Sequence, residues 1–299
     1  MYDLIVLGAG PAGLTAAAYA LHKRLETLVV TLDLGGKVNY PFRVPWVEGH
    51  EVISGIEIVN RYRTQLQYLD FAHEMDRVLK IEHPGKNFLV HTEKGKKFNA
   101  RALLVATGAA ARRLGAPGEN KLLGQGVSYS AVSHAPLFVD RKVAIVGAGV
   151  EGLRAAAELG YVAKQVHAVF PDPDDLETSL GEKLKENSKV EVLPGFSVKE
   201  ILGEENVQGV VVAQNGTTRR LDVDGLFVEL GLNPNSQIVA DFVNLTPDKR
   251  IVVDGRNATS CPGIFAAGDV TDTFAEQVLI AIGDGARAAL SAYEYLLEH

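Results

Sequence analysis

The sequence contains a single cysteine, Cys261, so the chain can form neither an intrachain disulfide nor a catalytic dithiol. Basic residues are outnumbered, and the net charge of −7 disfavours a nucleic acid or an anionic membrane surface as a partner. No apolar run approaches the roughly 20 residues of a membrane span, and Met1-Tyr2-Asp3 lacks the basic region of a signal peptide. We therefore expect a cytoplasmic protein of a reducing compartment that binds neither membrane nor nucleic acid.

Glycine is abundant, with 30 residues, and two short runs have the spacing GxGxxG. They are Gly8-Ala9-Gly10-Pro11-Ala12-Gly13 and Gly147-Ala148-Gly149-Val150-Glu151-Gly152. Each follows an apolar run typical of a buried strand and opens an alanine-rich helical stretch, the context that a dinucleotide-binding loop requires. Two such loops predict two dinucleotides and electron transfer between them.

Each position in such a loop has a physical role. The first glycine makes a tight turn, the second lets the backbone approach a pyrophosphate, and the third lets helix and strand pack closely. The N-terminus of the helix then offers free N–H groups and a positive dipole end to the phosphates.

The order of predicted elements indicates an α/β fold built twice. A chain of 299 residues is long for one core, and strands alternating with helices are typical of doubly wound parallel sheets. Turn-rich joints at 112–118 and 231–235 indicate that the second unit is inserted into the first. We therefore predict two Rossmann-like nucleotide-binding domains, a discontinuous first over 1–112 and 233–299 and a second over 113–232.

The individual elements follow from apolar runs and turn residues. Predicted strands are 3–7, 27–32, 102–106, 143–146, 166–170 and 225–230, with hairpins around 84–87 and 93–96 and a further strand pair between 235 and 263. Predicted helices are 11–24, 56–69 and 278–295. The run Gly268-Asp269 would then return the chain to the first glycine loop.

Four segments together resemble a known family. They are the first glycine run, Ala106-Thr107-Gly108-Ala109, Leu226-Phe227-Val228 with Gly231 and Pro234, and Phe265-Ala266-Ala267-Gly268-Asp269-Val270. The chain resembles low-molecular-weight thioredoxin reductase, a two-dinucleotide flavoprotein disulfide reductase, over nearly its whole length. The resemblance implies an FAD-dependent oxidoreductase that forms a homodimer and whose inserted domain can rotate at the two joints.

The resemblance also assigns residues to FAD. Gly10 and Gly13 would approach the pyrophosphate, and Asp33, twenty residues after Gly13, would accept hydrogen bonds from ribose hydroxyls. The alternative for Asp33 is an acid in a solvated turn, and for Asp269 a helix N-cap in place of a cofactor ligand. The remaining candidates around the flavin are Gly8, Pro11, Ala12, Gly35, Gly36, Lys37, Thr107, Gly108, Gly268, Glu276, Gln277 and Val278, the last three where the family has Arg-Gln-Ala.

The first departure from the family lies at its redox-active Cys-x-x-Cys, where this chain has Ser130 and Ser133. A hydroxyl forms no disulfide and does not ionise near neutral pH, so the chain as written cannot reduce thioredoxin by the family mechanism. The serines are either an engineered replacement or a natural loss of the dithiol. His134 stands in the place of the family's acid residue, as a proton donor or as an exposed turn histidine.

The second departure concerns the electron donor. NADPH-dependent relatives have an arginine clamp after the second strand of this unit, whereas this chain has Phe170-Pro171-Asp172-Pro173-Asp174-Asp175. Carboxylates would repel a 2′-phosphate, so NADPH is disfavoured. Asp172 lies twenty residues after Gly152, a spacing that suits the ribose diol of NADH or of a second FAD. The alternative is a solvated turn beside an empty pocket.

Three functional hypotheses follow. The leading one is an FAD-dependent disulfide oxidoreductase whose cysteine pair is replaced, resembling a diflavin variant of the family, with a thioredoxin-like protein or a ferredoxin as possible partner. The second is a natural dithiol-free flavin or ferredoxin reductase. The third is a non-catalytic flavin-binding sensor that kept the fold and lost turnover.

Overall fold

The computed structural model describes residues 1–39, 42–47, 56–67 and 72–299, which divide into two compact units. Unit 1 consists of the described residues within Met1–Asn39, Ile53–Ala110 and Asn233–His299. Unit 2 consists of those within Tyr40–Val52 and Ala111–Leu232. Elements are numbered below in the order in which they occur along the chain.

Unit 1 is built on one mixed sheet flanked by helices. Its strands are β1 (Tyr2–Ala9), β2 (Thr27–Leu34), β3 (His73–Met75), β4 (Val78–Glu82), β5 (Phe88–Thr92), β6 (Lys97–Val105) and β17 (Ile264–Ala266). Its helices are α1 (Pro11–His22), α2 (Ile56–Gln67) and α7 (Val278–Glu298). Strands β3, β2, β1 and β6 run parallel in that order, as does β17 beside the end of β6, and β4 and β5 add an antiparallel hairpin to the start of β6.

The middle of the central strand β1, Leu4–Leu7, is apolar without interruption because both faces of the sheet are covered. Leu4 and Val6 belong to a buried cluster with the alanine-rich faces of α1 and α7. Ile5 and Leu7 point to the opposite face, where they pack with residues such as Val90 from the hairpin. The first glycine loop follows β1 directly and therefore lies at the carboxyl end of the parallel strands.

Unit 2 has three layers. Its parallel sheet has the order β11 (Val190–Pro194), β10 (Gln165–Phe170), β9 (Lys142–Gly147), β15 (Gly225–Glu229) and β8 (Val127–Ser128). One face packs against helices and the other against an antiparallel sheet of β12 (Ser197–Leu202), β13 (Gly209–Gln214) and β14 (Thr217–Leu221). The helices are α3 (Glu119–Leu122), α4 (Ala131–His134), α5 (Gly149–Val162) and α6 (Ser179–Glu186).

Two short strands, β7 (Ala109–Ala111) and β16 (Leu232–Pro234), pair with each other, β7 directly before the segment 112–118 and β16 within the segment 231–235. The neighbouring joint at 112–118 is held within unit 2 by Glu119. Its buried carboxylate accepts hydrogen bonds from the N–H groups of Leu114 (3.0 Å) and Gly115 (2.8 Å) and from the hydroxyl of Tyr129 (2.7 Å).

The predicted fold class, an α/β protein with two Rossmann-like sheets, is confirmed. The predicted strand pair between 235 and 263 is wrong. Among the described residues this stretch forms only isolated bridges such as Leu245 with Ile251, because a tight turn from Thr246 to Arg250 occupies its backbone groups. The antiparallel sheet of unit 2 went unpredicted, and β6 begins at Lys97 instead of residue 102.

The structure also differs from the predicted boundary of the first domain at residues 42–47, which group with unit 2. The indole Nε1 of Trp46 donates to the carbonyl of Leu137 (2.8 Å), and its ring packs edge-on against Phe138 (5.5 Å between centroids). No helix in the described part of the chain is both long and apolar enough to cross a membrane.

Two glycines in α7 allow a test of how tightly α1 and α7 pack. A Cβ at Gly285 would overlap the backbone carbonyl oxygen of Ala12, whereas Gly283 is exposed with no neighbour within 4 Å. We expect Gly285→Ala to lower the free energy of unfolding by about 1–3 kcal/mol through overpacking. Gly283→Ala should raise it by up to about 1 kcal/mol through helix propensity. Denaturant titration measures both, and equal effects would contradict the packing described.

Candidate functional site

The first glycine loop is shaped by two positions that leave no room for a side chain. Gly8 has φ +98°, and a Cβ there would lie 2.5 Å from the carbonyl oxygen of Ala106. A Cβ at Gly13 would overlap the carbonyl oxygen of Gly8 itself. These contacts bring the start of α1 close against β1 and the end of β6.

Gly10 differs from the other two because its surroundings are open. Its backbone is extended (φ −71°, ψ −172°), and no atom lies within 4 Å of a Cβ built on it. Gly10 is the N-cap of α1, with Pro11 in the first turn and Ala12 behind it. The open space therefore faces a helix N-terminus, where free N–H groups attract a phosphate.

Asp33 holds the turn that lies beside this space. Its Oδ1 accepts hydrogen bonds from the N–H of Gly36 (2.7 Å) and from the amide of Asn39 (3.4 Å). Gly35 and Gly36 both have positive φ, and the N–H of Gly35 donates to the carbonyl of Ala9 (2.7 Å). The turn interpretation of Asp33 is thus realised, and its exposed carboxylate still lies next to the first glycine loop.

The second flavin-type signature meets the first loop within unit 1. Gly268 has φ +76°, and a Cβ on it would lie 3.1 Å from the methyl group of Ala12. The carboxylate of Asp269 accepts a 2.8 Å hydrogen bond from the ammonium group of Lys37. Asp269 is not a helix N-cap, because α7 begins only at Val278 with Gln277 as its cap. The structure therefore brings Lys37 and Asp269 together beside Gly268.

Thr107 and Gly108 take part in local pairing in the same unit. The hydroxyl of Thr107 donates to the carbonyl of Asn235 (2.7 Å), and the amide of Asn235 donates back to the carbonyl of Thr107 (2.9 Å). Gly108 has φ +67° and accepts from the N–H of Asn235 (2.9 Å). Glu276 forms an ion pair with Arg250 at 2.5 Å.

The second glycine loop packs on an aromatic ring. A Cβ at Gly147 would lie 2.8 Å from the Cα of Gly152 and 3.1 Å from the ring of Phe170, which is fully buried. Gly149 has φ +58°, and a Cβ there would lie 3.8 Å from a carboxylate oxygen of Glu151. Val150 is 46% exposed, so the first turn of α5 presents a hydrophobic group and a carboxylate to solvent.

The acidic segment that follows β10 is a short 3₁₀ turn over Pro173–Leu176. Oδ1 of Asp172 accepts from the N–H of Asp174 (3.1 Å) and caps this turn, as the alternative interpretation of Asp172 requires. The side chains of Asp172 and Asp174 are exposed. The turn therefore supplies negative charge without a basic counterpart between residues 170 and 176.

Ser130 and Ser133 lie together at the start of α4. The hydroxyl of Ser130 donates to that of Ser133 (2.9 Å) and accepts from the N–H of Ser133 (3.3 Å), which makes Ser130 the N-cap. The N–H of Ala131 donates to a carboxylate oxygen of Glu229 (2.6 Å). The backbone carbonyl of Glu229 accepts from the N–H of Ala148 (3.0 Å), so one residue connects this turn with the second glycine loop.

His134 ends α4 and is half-buried, so the interpretation as an exposed turn histidine is wrong. Its Nδ1 shares a 2.8 Å hydrogen bond with the hydroxyl of buried Ser128, and Phe42 stacks on its ring at 4.2 Å. Burial lowers the pKa of His134 to about 4, so the imidazole is neutral at pH 7.

Sequence reasoning missed three contributors to these sites: Phe42, Glu229 and Arg250. Glu229 carried a usable signal, since an acid at the end of a buried strand has to find hydrogen-bond donors. Phe42 and Arg250 lie in irregular segments, and the contacts that bring them to these sites, with His134 and with Asp269, Thr271 and Glu276, are with residues distant in sequence. The described residues contain no cluster of histidine, cysteine and carboxylate groups that could hold a metal ion.

Comparisons with known proteins agree on the kind of protein. Residues 2–285 match the family model described as pyridine nucleotide-disulphide oxidoreductase. The whole chain is 33% identical over 303 residues to the F subunit of alkyl hydroperoxide reductase from Staphylococcus aureus (strain Mu50), covering 60% of that protein. The chain thus spans about three fifths of the length of these curated relatives.

Two solved structures match over nearly their full length. Thioredoxin reductase from Streptococcus pyogenes MGAS5005 superposes with a TM-score of 0.89 at 34% identity, covering 100% of this chain and 99% of that one. Thioredoxin reductase from Giardia duodenalis gives a TM-score of 0.88 at 27% identity, with 99% of both chains covered.

The depressed pKa of His134 predicts a pH-dependent stability. The unfolded imidazole takes up a proton near pH 6.5, whereas the folded one resists until about pH 4. Stability is therefore lost as the pH falls through this window, by at most about 3 kcal/mol. His134→Asn should flatten this slope in denaturant titrations at pH 7, 6, 5 and 4.5.

The pKa of His167 is also lowered, chiefly by burial. Because His167 is present in both the parent and the His134→Asn variant, its effect cancels when their free energies of unfolding are subtracted. Parallel stability curves for the parent and the His134→Asn variant would contradict the assignment to His134.

Proposed function

The chain belongs to the pyridine nucleotide-disulphide oxidoreductase family. We propose that it is an FAD-dependent oxidoreductase of the thioredoxin reductase type with a specific electron path. Electrons pass between FAD held by unit 1 and a nucleotide without a 2′-phosphate held by unit 2, with no thiol step in this chain. The observation that carries the proposal is the negative charge around the second nucleotide site. Glu151 lies in the second glycine loop, Asp172 and Asp174 lie in the segment that follows β10, and no arginine occurs between residues 170 and 176.

The residues of unit 1 fit FAD. The open space at Gly10 faces the N-terminus of α1, as a pyrophosphate needs, and any side chain there would enter it. Asp33 and Asp269 supply carboxylates near the loop, as acceptors for the hydroxyls of a ribose and of a ribityl chain. When bound, the flavin supplies hydride and single-electron chemistry, and the protein supplies its position and electrostatic surroundings.

The residues of unit 2 fit an adenosine with a free ribose diol better than one with a 2′-phosphate. The carboxylate of Asp172 is exposed at the strand end and can accept from a diol hydroxyl while its other oxygen caps the turn. A phosphate at the same place would meet like charge from Asp172 and Asp174, at a cost of several kcal/mol when water is excluded. NADH fits these requirements, and so does the adenosine half of a second FAD.

Ser130 and Ser133 do not carry electrons in this proposal. Their hydroxyls cap α4 and bond each other, and neither can form the mixed disulfide through which thiols exchange electrons. His134 beside them is neutral at pH 7 and resists protonation until about pH 4, so it carries no imidazolium proton to donate near neutral pH, and its Nδ1 hydrogen bond with Ser128 fixes the ring. The electron acceptor is then a separate molecule such as a ferredoxin, whereas a thioredoxin-like acceptor belongs to the second candidate below, in which both cysteines are present.

The first test is the nucleotide content and donor preference of the purified protein. We expect denaturation to release one FAD per chain. We expect NADH to bleach the flavin anaerobically with a kcat/KM at least about tenfold above that of NADPH, a difference of about 1.4 kcal/mol. Asp172→Asn keeps the capping oxygen and removes the negative charge, so it should lower the ratio of kcat/KM for NADH to kcat/KM for NADPH.

Two outcomes would contradict the assignment of NADH to the second loop. Equal or better reduction by NADPH would show that the acidic turn does not select the donor. Release of two FAD per chain would give the second loop to a flavin in place of NADH. Gly85→Ala serves as the control variant, because that exposed glycine has no neighbour within 4 Å and lies in a hairpin turn of unit 1.

A second candidate is a disulfide oxidoreductase whose two cysteines have been replaced by serine. The specific observation in its favour is that Ser130 and Ser133 retain the i, i+3 spacing at a helix start with their oxygens 2.9 Å apart. Restoring both cysteines, as Ser130→Cys with Ser133→Cys, should then give a disulfide that two electron equivalents reduce, with a long-wavelength absorption band from a thiolate beside the flavin. Thiols that remain independent of the flavin under partial reduction would exclude this candidate.

A further inference from the structure

One side chain of unit 1 makes four hydrogen bonds around the second flavin-type signature. The guanidinium of Arg250 donates from Nε to Asp248 (2.9 Å) and from one Nη to Glu276 (2.5 Å). Its other Nη donates to the backbone carbonyls of Asp269 (3.3 Å) and Thr271 (3.4 Å). The Arg250 side chain is only 16% exposed, whereas its carboxylate partners Asp248 and Glu276 reach the solvent.

Arg250 extends from a turn that is itself well fixed. The N–H of Thr246 donates to the carbonyl of Arg250 (2.9 Å), and the N–H of Arg250 donates to the hydroxyl of Thr246 (3.0 Å). That hydroxyl donates in turn to Asp248 (2.5 Å), the carboxylate that also accepts from Arg250. The guanidinium therefore projects from a rigid base, which limits the rotamer entropy lost when it binds its partners.

The carbonyls that Arg250 binds belong to the turn that presents Asp269. On one side of this turn, the carboxylate of Asp269 pairs with Lys37. On the other, the backbone carbonyl of Asp269 is held by Arg250, and the hydroxyl of Thr271 donates to the carbonyl of Gly268 (2.8 Å). The direction of the Asp269 carboxylate is thus determined by contacts on both sides of its backbone.

The same guanidinium also bonds to Glu276, the residue directly before Gln277, which is the N-cap of α7. Between Thr271 and the N-cap Gln277 the chain forms an irregular segment. Arg250 bonds to both ends of this segment, at Thr271 and at Glu276. A single exposed ion pair contributes little to stability. A half-buried guanidinium that donates to four acceptors contributes more, because charge-assisted hydrogen bonds are stronger than neutral ones.

We propose that Arg250 and Glu276 form a positioning pair that holds segment 269–277 closed around the flavin site and places positive charge behind the Asp269 carboxylate. This inference rests on the proposed function, since it assumes that unit 1 binds FAD. Removing the guanidinium would leave Asp248, Asp269 and Glu276 as neighbouring carboxylates, which disfavour both an anionic cofactor and its reduced form.

The test uses the full chain and compares Arg250→Gln, Arg250→Lys and Glu276→Gln with the parent. FAD affinity is measured by titrating flavin-depleted protein, and the reduction potential of the bound flavin by dye equilibration. We expect Arg250→Gln to weaken FAD binding at least about tenfold and to make the potential more negative. Arg250→Lys should recover part of both, because it keeps the charge and loses the fork of donors.

A matched control separates positioning from general stability. Arg256 pairs with Glu294 in the same unit, both side chains are more than half exposed, and neither residue contacts segment 269–277 through a bond in the described structure. Arg256→Gln should leave FAD affinity and potential unchanged. Glu276→Gln keeps Arg250 in place and tests the pair if Arg250→Gln does not fold, with an expected threefold or greater loss of affinity.

The outcomes are distinguishable from a failure of the proposed function. If the parent releases and rebinds no FAD, the proposed function fails. If the parent binds FAD while the Arg250 and Glu276 variants match the parent in affinity and potential, the positioning pair is overturned. If the Arg250 variants unfold more easily than the parent but bind FAD with the parent's affinity and potential, Arg250 has only a structural role.

Discussion

The close approach of α1 to β1 is the constraint on which unit 1 depends. It exists because neither Gly8 nor Gly13 has a Cβ, so the carbonyl of Gly8 can lie where a side chain of Gly13 would have been. Once helix and strand meet in this way, the N-terminus of α1 opens at the carboxyl end of the sheet, and Gly10 leaves the space in front of it free. The second signature then packs on Ala12 and completes the same corner.

The parts of the fold that could be predicted from sequence are those encoded in local patterns. Buried parallel strands have uninterrupted apolar runs, and glycine spacing identifies the turns that follow them, so β1, β9 and both loops were found. The segment between 235 and 263 has similar turn residues but forms no strand pair, because the hydroxyl of Thr246 and the carbonyl of Arg250 close a tight turn instead. Competition of this kind depends on side-chain contacts that a hydropathy pattern does not contain.

The candidate sites divide in the same way. Gly10, Asp33 and Asp269 were identified from spacing and resemblance, and the structure places them around one corner of unit 1. Phe42 and Glu229 were not identified, since each acts on a residue 92 or 98 positions away, His134 and Ala131 respectively. Asp33 and Asp172 each satisfy a local backbone N–H with one carboxylate oxygen while the side chain stays exposed to solvent.

Glu229 links two places in unit 2 by using two different groups of one residue. Its carbonyl receives the N–H of Ala148 in the second glycine loop, and its carboxylate receives the N–H of Ala131 at the start of α4. A nucleotide that displaced the end of β15 would therefore displace the serine turn as well. By thermodynamic reciprocity, a ligand whose binding at that turn required the same displacement would change the affinity for the nucleotide by the same factor.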